Sequence, residues 1–252
     1  MMTKNSAWEN YRSLTNARIA LGRAGGSLTT SEMLSFRSDH ALAKDAVWTD
    51  LNIEDLKEQL ESIGCSTLSL QSKANNREVF IQRPDLGRVL NQSSIDLLNA
   101  NKKQYDISIS IADGLSAMAI QKHAINFLES LLPKLSSFNL APISIINQGR
   151  VAISDSVGQL LKSKIAIILI GERPGLTSPY SMGIYFTYGP KIGNTDEKRN
   201  CISNIRKEGL SYEYAAQKLV FLLTESLRNK LSGVDLKDTF DNRLLKDEST
   251  EN

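Results

Sequence analysis

Six consecutive apolar residues, Ile165-Ala-Ile-Ile-Leu-Ile170, restrict this chain more than any other feature. Successive side chains of a strand point to opposite faces, so a run without polar alternation needs cover on both sides. The run is far short of the roughly 20 residues that span a bilayer. A mainly parallel sheet with helices on both faces is the arrangement that buries such a strand. The segments around it agree. Residues 105–111 alternate apolar and small polar side chains, Ala112-Asp-Gly-Leu-Ser116 turns the chain, and a helix is predicted over about 117–135, which together make a βα unit. A second strand is predicted at 143–146, a helix at 154–161, and further strands at 182–188 and 201–205. Ser211 is placed to cap a helix running to about 231, with Ala215, Ala216, Leu219, Leu222 and Leu223 inward and Gly233 just past its end.

The first hundred residues read differently, as helices joined by polar turns. Over 30–46 the apolar positions Met33, Leu34, Phe36, Ala41, Leu42 and Ala46 are assigned to one helical face, with Thr30 as N-cap. Over 53–63 Ile53, Leu56, Leu60 and Ile63 recur at helical spacing, Asn52 can cap, and Gly64 stands where a left-handed residue stops a helix. Pro84 suits a first helical turn, and a short helix is predicted over about 93–99. The reading is therefore α/β: a helical N-terminal domain over 1–102, then a Rossmann-like three-layer domain over 103–252 with a mainly parallel sheet. Residues 245–252 read as a frayed tail.

Composition narrows the chemistry. Two cysteines, two histidines and 6% aromatic residues are few. Cys65 and Cys201 make no disulfide framework, and with His40 and His123 they match no zinc spacing, so no metal site is expected. A net charge of +2 with the signs interspersed gives no electrostatic case for nucleic acid. No apolar run suggests a membrane span or a secretory leader, and the cytoplasm is the expected location.

In an open parallel sheet the ligand site lies beyond the carboxyl ends of the strands. That rule selects the loops 112–116, 147–151 and 171–176 and the stretch from Gly189 into 199–204. None carries a dinucleotide fingerprint or a phosphate-binding Walker loop. Asp113 is either a tight-turn residue that also caps the following helix or a carboxylate aimed at a ligand. Glu172 and Arg173 follow the buried strand directly, and stand either at the mouth of the crevice or in a surface ion pair. Cys201 is either a small buried residue or a site group, and no histidine lies nearby in sequence to make it a nucleophile. Near the N-terminus, Arg18, Arg23, Gly22, Gly25 and Gly26 either wrap an anion or another subunit's backbone, or are a basic helix and a flexible turn.

Seven segments in register add a resemblance. A-R-I-A-L-G-R-A-G-G-S at 17–27, Q-R-P-D-L-G-R at 82–88, I-A-D-G-L-S-A at 111–117, Q-G-R-V-A at 148–152, I-G-E-R-P-G-L at 170–176, R-N-C-I-S-N-I at 199–205 and L-S-G-V at 231–234 resemble the small subunit of ethanolamine ammonia-lyase. The resemblance implies a light chain that pairs with a catalytic large subunit in a hetero-oligomer and completes its adenosylcobalamin site. Carried over residue by residue, it places cobalamin contacts on Val151, Glu172 and Cys201, with Asp113, Arg150, Arg173 and Asn200 as neighbours of lower rank. It implies that the catalytic residues lie on the large subunit. Neither histidine sits in a D-x-H-x-x-G motif, since Ser38 precedes His40 by two and Gln121 precedes His123 by two, so base-on cobalamin is expected. Relatives with a longer N-terminal extension are associated with a bacterial microcompartment, and few residues precede Tyr11 here. Two other readings stay open: a self-sufficient α/β enzyme on a phosphorylated small molecule, with Gly114, Gly171 and Gly175 as anion cradle, and a structural scaffold subunit.

Overall fold

The computed structural model describes residues 9–12, 14–15 and 17–241, and the expected tail at 245–252 lies outside the described residues. Along the chain run α1 (Thr30–Trp48), α2 (Ile53–Ser62), β1 (Thr67–Gln71), α3 (Arg77–Gln82), α4 (Gln92–Ala100), β2 (Tyr105–Ala112), α5 (Ala117–Leu131), β3 (Ile143–Asn147), α6 (Ile153–Leu161), β4 (Ser163–Gly171), β5 (Met182–Tyr188), β6 (Arg199–Ile205) and α7 (Tyr212–Asn229). The six strands form one sheet in the order β1-β3-β2-β4-β5-β6. The first four are parallel to one another, while β5 is antiparallel to both β4 and β6.

Strand β4 is central and covered on both sides, as the opening run requires. Ile165, Ile167 and Leu169 join a core with α2, α5 and α7, whereas Ile168 and Ile170 face a second core with α4 and α6. No residue from 165 to 170 is more than 5% exposed. Each of these large side chains contributes about 1.5–3 kcal/mol by leaving water. The fold is α/β with a mainly parallel sheet between helical layers.

Helix boundaries follow local chemistry. Asn52, Asn76, Asn91, Ser116 and Ser211 each accept a backbone N–H three residues on, satisfying a donor that the first helical turn leaves free. Gly64 takes φ +81°, and the Cys65 N–H reaches Leu60 O at 3.0 Å, closing α2 in a Schellman arrangement.

Four expectations are corrected. The N-terminal hundred residues are not all helical: Thr67–Gln71 pairs in parallel with Ile143–Asn147, so the sheet reaches across the boundary expected near residue 102. Helix α1 is capped by Thr29, not Thr30, and of its assigned apolar face only Ala46 is buried. At 100° per residue Met33, Leu34 and Leu42 spread around the cylinder, so no single core could collect them. Pro84 lies in a turn before the short 3₁₀ segment Leu86–Arg88 rather than in a helix. Helix α7 stops at Lys230, which adopts the left-handed conformation, three residues before Gly233.

Candidate functional site

The carboxyl ends of β2 and β3 mark the point where the chain's crossovers part, β2 leading to α5 on one face and β3 to α6 on the other. That crevice is filled by protein. Asp113 is fully buried, and its carboxylate accepts the N–H groups of Gly114, Gln148 and Gly149 at 3.0, 3.0 and 2.9 Å. Arg77 Nη1 completes the set at 3.1 Å, so both crossover loops hang on one carboxylate. Burial pushes the Asp113 carboxyl up to about 6, while Arg77 and the three amides oppose that rise. The guanidinium groups of Arg77 and Arg150 both lie over the Phe80 ring, at 4.8 and 4.1 Å from its centroid. Asp113 and Arg150 are therefore scaffold: Asp113 does open a tight turn, its carbonyl accepting the Ser116 N–H at 3.2 Å, but Ser116 is the helix cap and the carboxylate is not aimed at a ligand.

The open surface lies next door, on the α6 side of β5 and β6. There Cys201 and Ser203 are exposed and Tyr185, paired opposite Cys201, is half-buried. Gly183 shares their face, two residues before Tyr185. It lets Glu172 fold back across the sheet: a Cβ on Gly183 would stand 2.8 Å from Glu172 Oε1. The Ser181 hydroxyl donates to Glu172 Oε2 at 2.5 Å, and the Asn204 N–H lies 3.3 Å from both carboxylate oxygens. That amide is re-aimed by an irregularity in the β5–β6 pairing, where Asn204 takes φ +62°.

Tyr185 and Cys201 are register partners, and the packing around their polar ends raises both groups above their ordinary range, with the Glu172 charge adding to the rise. The thiol is thus held in its neutral form. Val151, at the entry to α6, is half-buried against the second core, to which Tyr185 and Ile170 also belong. Beside it a cleft of about 420 Å³ opens between the start of α6 and the 192–196 loop, lined by Arg88, Ala152, Asp155, Ser156 and Asn194. Two of its lining residues, Asp155 and Asp196, pair with the buried Arg199, Asp196 holding Arg199 Nη1 at 2.6 Å.

The structure thus gathers Glu172 and Cys201 with Tyr185 and sets Val151 at the same side of the sheet. It separates the residues ranked lower. Asn200 binds Gly233 N, Gly233 O and Leu236 O, fastening the C-terminal segment. Arg173 faces α1 across a shallow groove. His123 sits on α5, across the sheet from Cys201; its Nε2–H donates to Tyr180 O at 2.9 Å, which leaves Nδ1 to accept from the Tyr212 hydroxyl at 2.8 Å. Arg18 binds Asp39 and the Glu32 carbonyl, and Gly25-Gly26 turn a hairpin between Arg23–Ala24 and Ser27–Leu28. The anion cradle is not formed, because Gly114 and Gly171 pack on each other. A Cβ on Gly114 would be 2.3 Å from Gly171 O, and one on Gly171 would be 2.1 Å from Ser116 O. Tyr185, Ser181, Gly183 and Asn204 escaped sequence reasoning, although Gly183 inside a strand was a signal of close approach.

Among the described residues there is no cluster of His, Cys, Asp and Glu fit to hold a metal ion, and no helix long and apolar enough to cross a membrane. Fold and face together define an α/β protein with an open sheet surface that carries Glu172, Tyr185 and Cys201. Comparison with known proteins agrees on its kind. Residues 5–237 match the family model for ethanolamine ammonia-lyase light chain (EutC), and the chain belongs to that family. It is 49% identical over 237 residues to the ethanolamine ammonia-lyase small subunit of Azotobacter vinelandii, covering 92% of this chain and 88% of that one. It is 47% identical to the small subunit of Pseudomonas putida strain W619 over 99% of this chain and 94% of that one, and 49% identical to that of Xanthomonas campestris pv. campestris over 95% and 90%. Membership of a small-subunit family makes it one part of a larger lyase.

Proposed function

We propose that this chain is the small subunit of an adenosylcobalamin-dependent ethanolamine ammonia-lyase and closes one side of the cofactor site on a large subunit, the holoenzyme converting ethanolamine to acetaldehyde and ammonia. The open face of β5 and β6 is the observation that carries this reading. A corrin is broad and flat and bears amide side chains, and the face matches it in chemistry: short side chains at Gly183, Cys201 and Ser203, and a carboxylate at Glu172 with acceptor capacity left over from Ser181 and Asn204. Val151 and Cys201 would pack against the cofactor's rim, and Glu172 would accept hydrogen bonds from its amides. Bound adenosylcobalamin supplies the radical by homolysis of its cobalt–carbon bond.

The residues of this chain bind, orient and exclude water. Among the described residues the buried ion pairs Arg77–Asp113 and Arg199–Asp155 commit their charges to the fold rather than to substrate. The chain alone is accordingly inactive. Cobalamin would keep its own base, since neither His40 nor His123 stands in a D-x-H-x-x-G segment and His123 lies on the far side of the sheet, engaged by Tyr212 and Tyr180. Superhyperfine splitting from a protein nitrogen, in the cob(II)alamin state of nitrogen-15-labelled protein, would contradict base-on binding.

The direct test is Glu172→Leu in the reconstituted complex, read as cobalamin retained after gel filtration. Loss of a hydrogen-bonded charged acceptor is worth about 1.5–3 kcal/mol, so affinity should fall about ten- to a hundredfold. Unchanged retention would favour a scaffold subunit with no part in the cofactor site.

A further inference from the structure

Helix α1 is anchored on one side and bare on the other. Its inner side is set by Ala46, by the Arg77 Nε bond to Val47 O at 2.6 Å, and by the Arg18 bond to Asp39. On the opposite side Leu34, Arg37, Ala41, Lys44 and Trp48 are all exposed. Their spacing is three, four, three, four, the interval of a helix–helix seam. At 100° per residue they fall within an arc of about 80°. Leu34 and Trp48, the ends of the stripe, are 59% and 50% exposed, large apolar groups left in water. Among the described residues, no ion pair engages Arg37 or Lys44. The stripe continues past the helix. Lys44, Val47 and Trp48 form one wall of a groove of about 360 Å³ whose other wall is Arg173, Pro174 and Leu176, the residues that follow Glu172.

We propose that this stripe and groove are the docking seam for the large subunit, and that it is filled there by a helix with an apolar ridge flanked by Asp or Glu. The inference rests on the reading that this chain pairs with a large subunit. Two properties of the stripe select that occupant. Apolar positions alternate with cations and no anion stands among the five, so the matching surface is apolar and acidic. A second copy packed across a twofold axis would set Arg37 and Lys44 against their own kind, a repulsive arrangement. The seam also runs into the loop carrying Glu172, so a subunit seated on it reaches the edge of the open face.

The experiment co-expresses the chain with the large subunit and measures association by sedimentation velocity at low and high salt. Leu34→Glu with Trp48→Glu should weaken association at least a hundredfold, with helix content and unfolding temperature of the isolated chain unchanged, because both side chains are exposed. Arg37→Glu with Lys44→Glu, which removes no apolar surface, should weaken it about tenfold at low salt and less at high salt, and it decides the matter if the first pair misfolds. Glu172→Leu should assemble normally and lose only cobalamin. Wild-type chain that fails to associate would remove both the subunit reading and this one. Association of the wild type with unchanged affinity in the α1 variants would overturn the seam alone. So would a wild-type homodimer that the variants dissociate while large-subunit affinity holds.

Discussion

Asp113 shows how a residue's role depends on partners that sequence spacing cannot name. Its place after β2 was legible from the strand and the Asp-Gly turn, but Arg77 lies 36 positions away and Gln148 35. The tight turn was read correctly, but neither reading included the work of its side chain, a carboxylate gathering both crossover loops. Asp113→Ala would leave Arg77 buried without its partner, and a cost of about 3–5 kcal/mol is expected in urea unfolding. Glycines make a sharper pair of tests. Gly171→Ala would press a methyl to 2.1 Å from Ser116 O and should abolish soluble expression or lower the unfolding temperature steeply, whereas Gly175→Ala meets nothing closer than 3.8 Å and should be near neutral. Both glycines stood in the same legible G-E-R-P-G loop; only packing separates them. Glu172 was visible for the opposite reason, as a charge directly after a run that had to be buried. Its hold on Asn204 was not visible, because it depends on a local bulge.

At the scale of elements, caps and periodicity located most of the helices and five of the six strands. Strand β1 was missed because five residues, Thr-Leu-Ser-Leu-Gln, sit between helices at the edge of the sheet, where only Leu70 is fully buried. Helix α1 was located correctly, but its apolar residues were assigned to a core that does not receive them. Between α5 and α7, His123 provides a pH test. Burial holds its imidazole below the usual histidine range, so the neutral form belongs to the fold. A depressed pKa contributes stability above the unfolded value near 6.5 that is lost as pH falls through the folded value. Asp113, raised to about 6, acts with the opposite sign, so the difference between proteins is the informative quantity. His123→Gln can keep a donor toward Tyr180 and an acceptor toward Tyr212. Between pH 7 and 5 the wild type should lose more unfolding temperature than this variant; equal losses would show that His123 does not titrate in that window.

At the scale of the molecule, the scarcity of histidine, cysteine and aromatic residues matches an open sheet face whose groups are neutral or already hydrogen-bonded. Fold class was readable from one apolar run and the βα units after it. The strand order, which brings β2 beside both β3 and β4, was not, because periodicity specifies elements and not their neighbours. The central claim is that the face bearing Val151, Glu172 and Cys201 meets cobalamin in the assembled enzyme. Hydrogen exchange of the complex with its large subunit, measured with and without hydroxocobalamin, tests it most directly. Slowed exchange should be confined, in this chain, to peptides covering Val151, Glu172 and Cys201–Asn204, with α5 and α7 unchanged. Cobalamin binding to the complex with exchange at those peptides unaltered would contradict it.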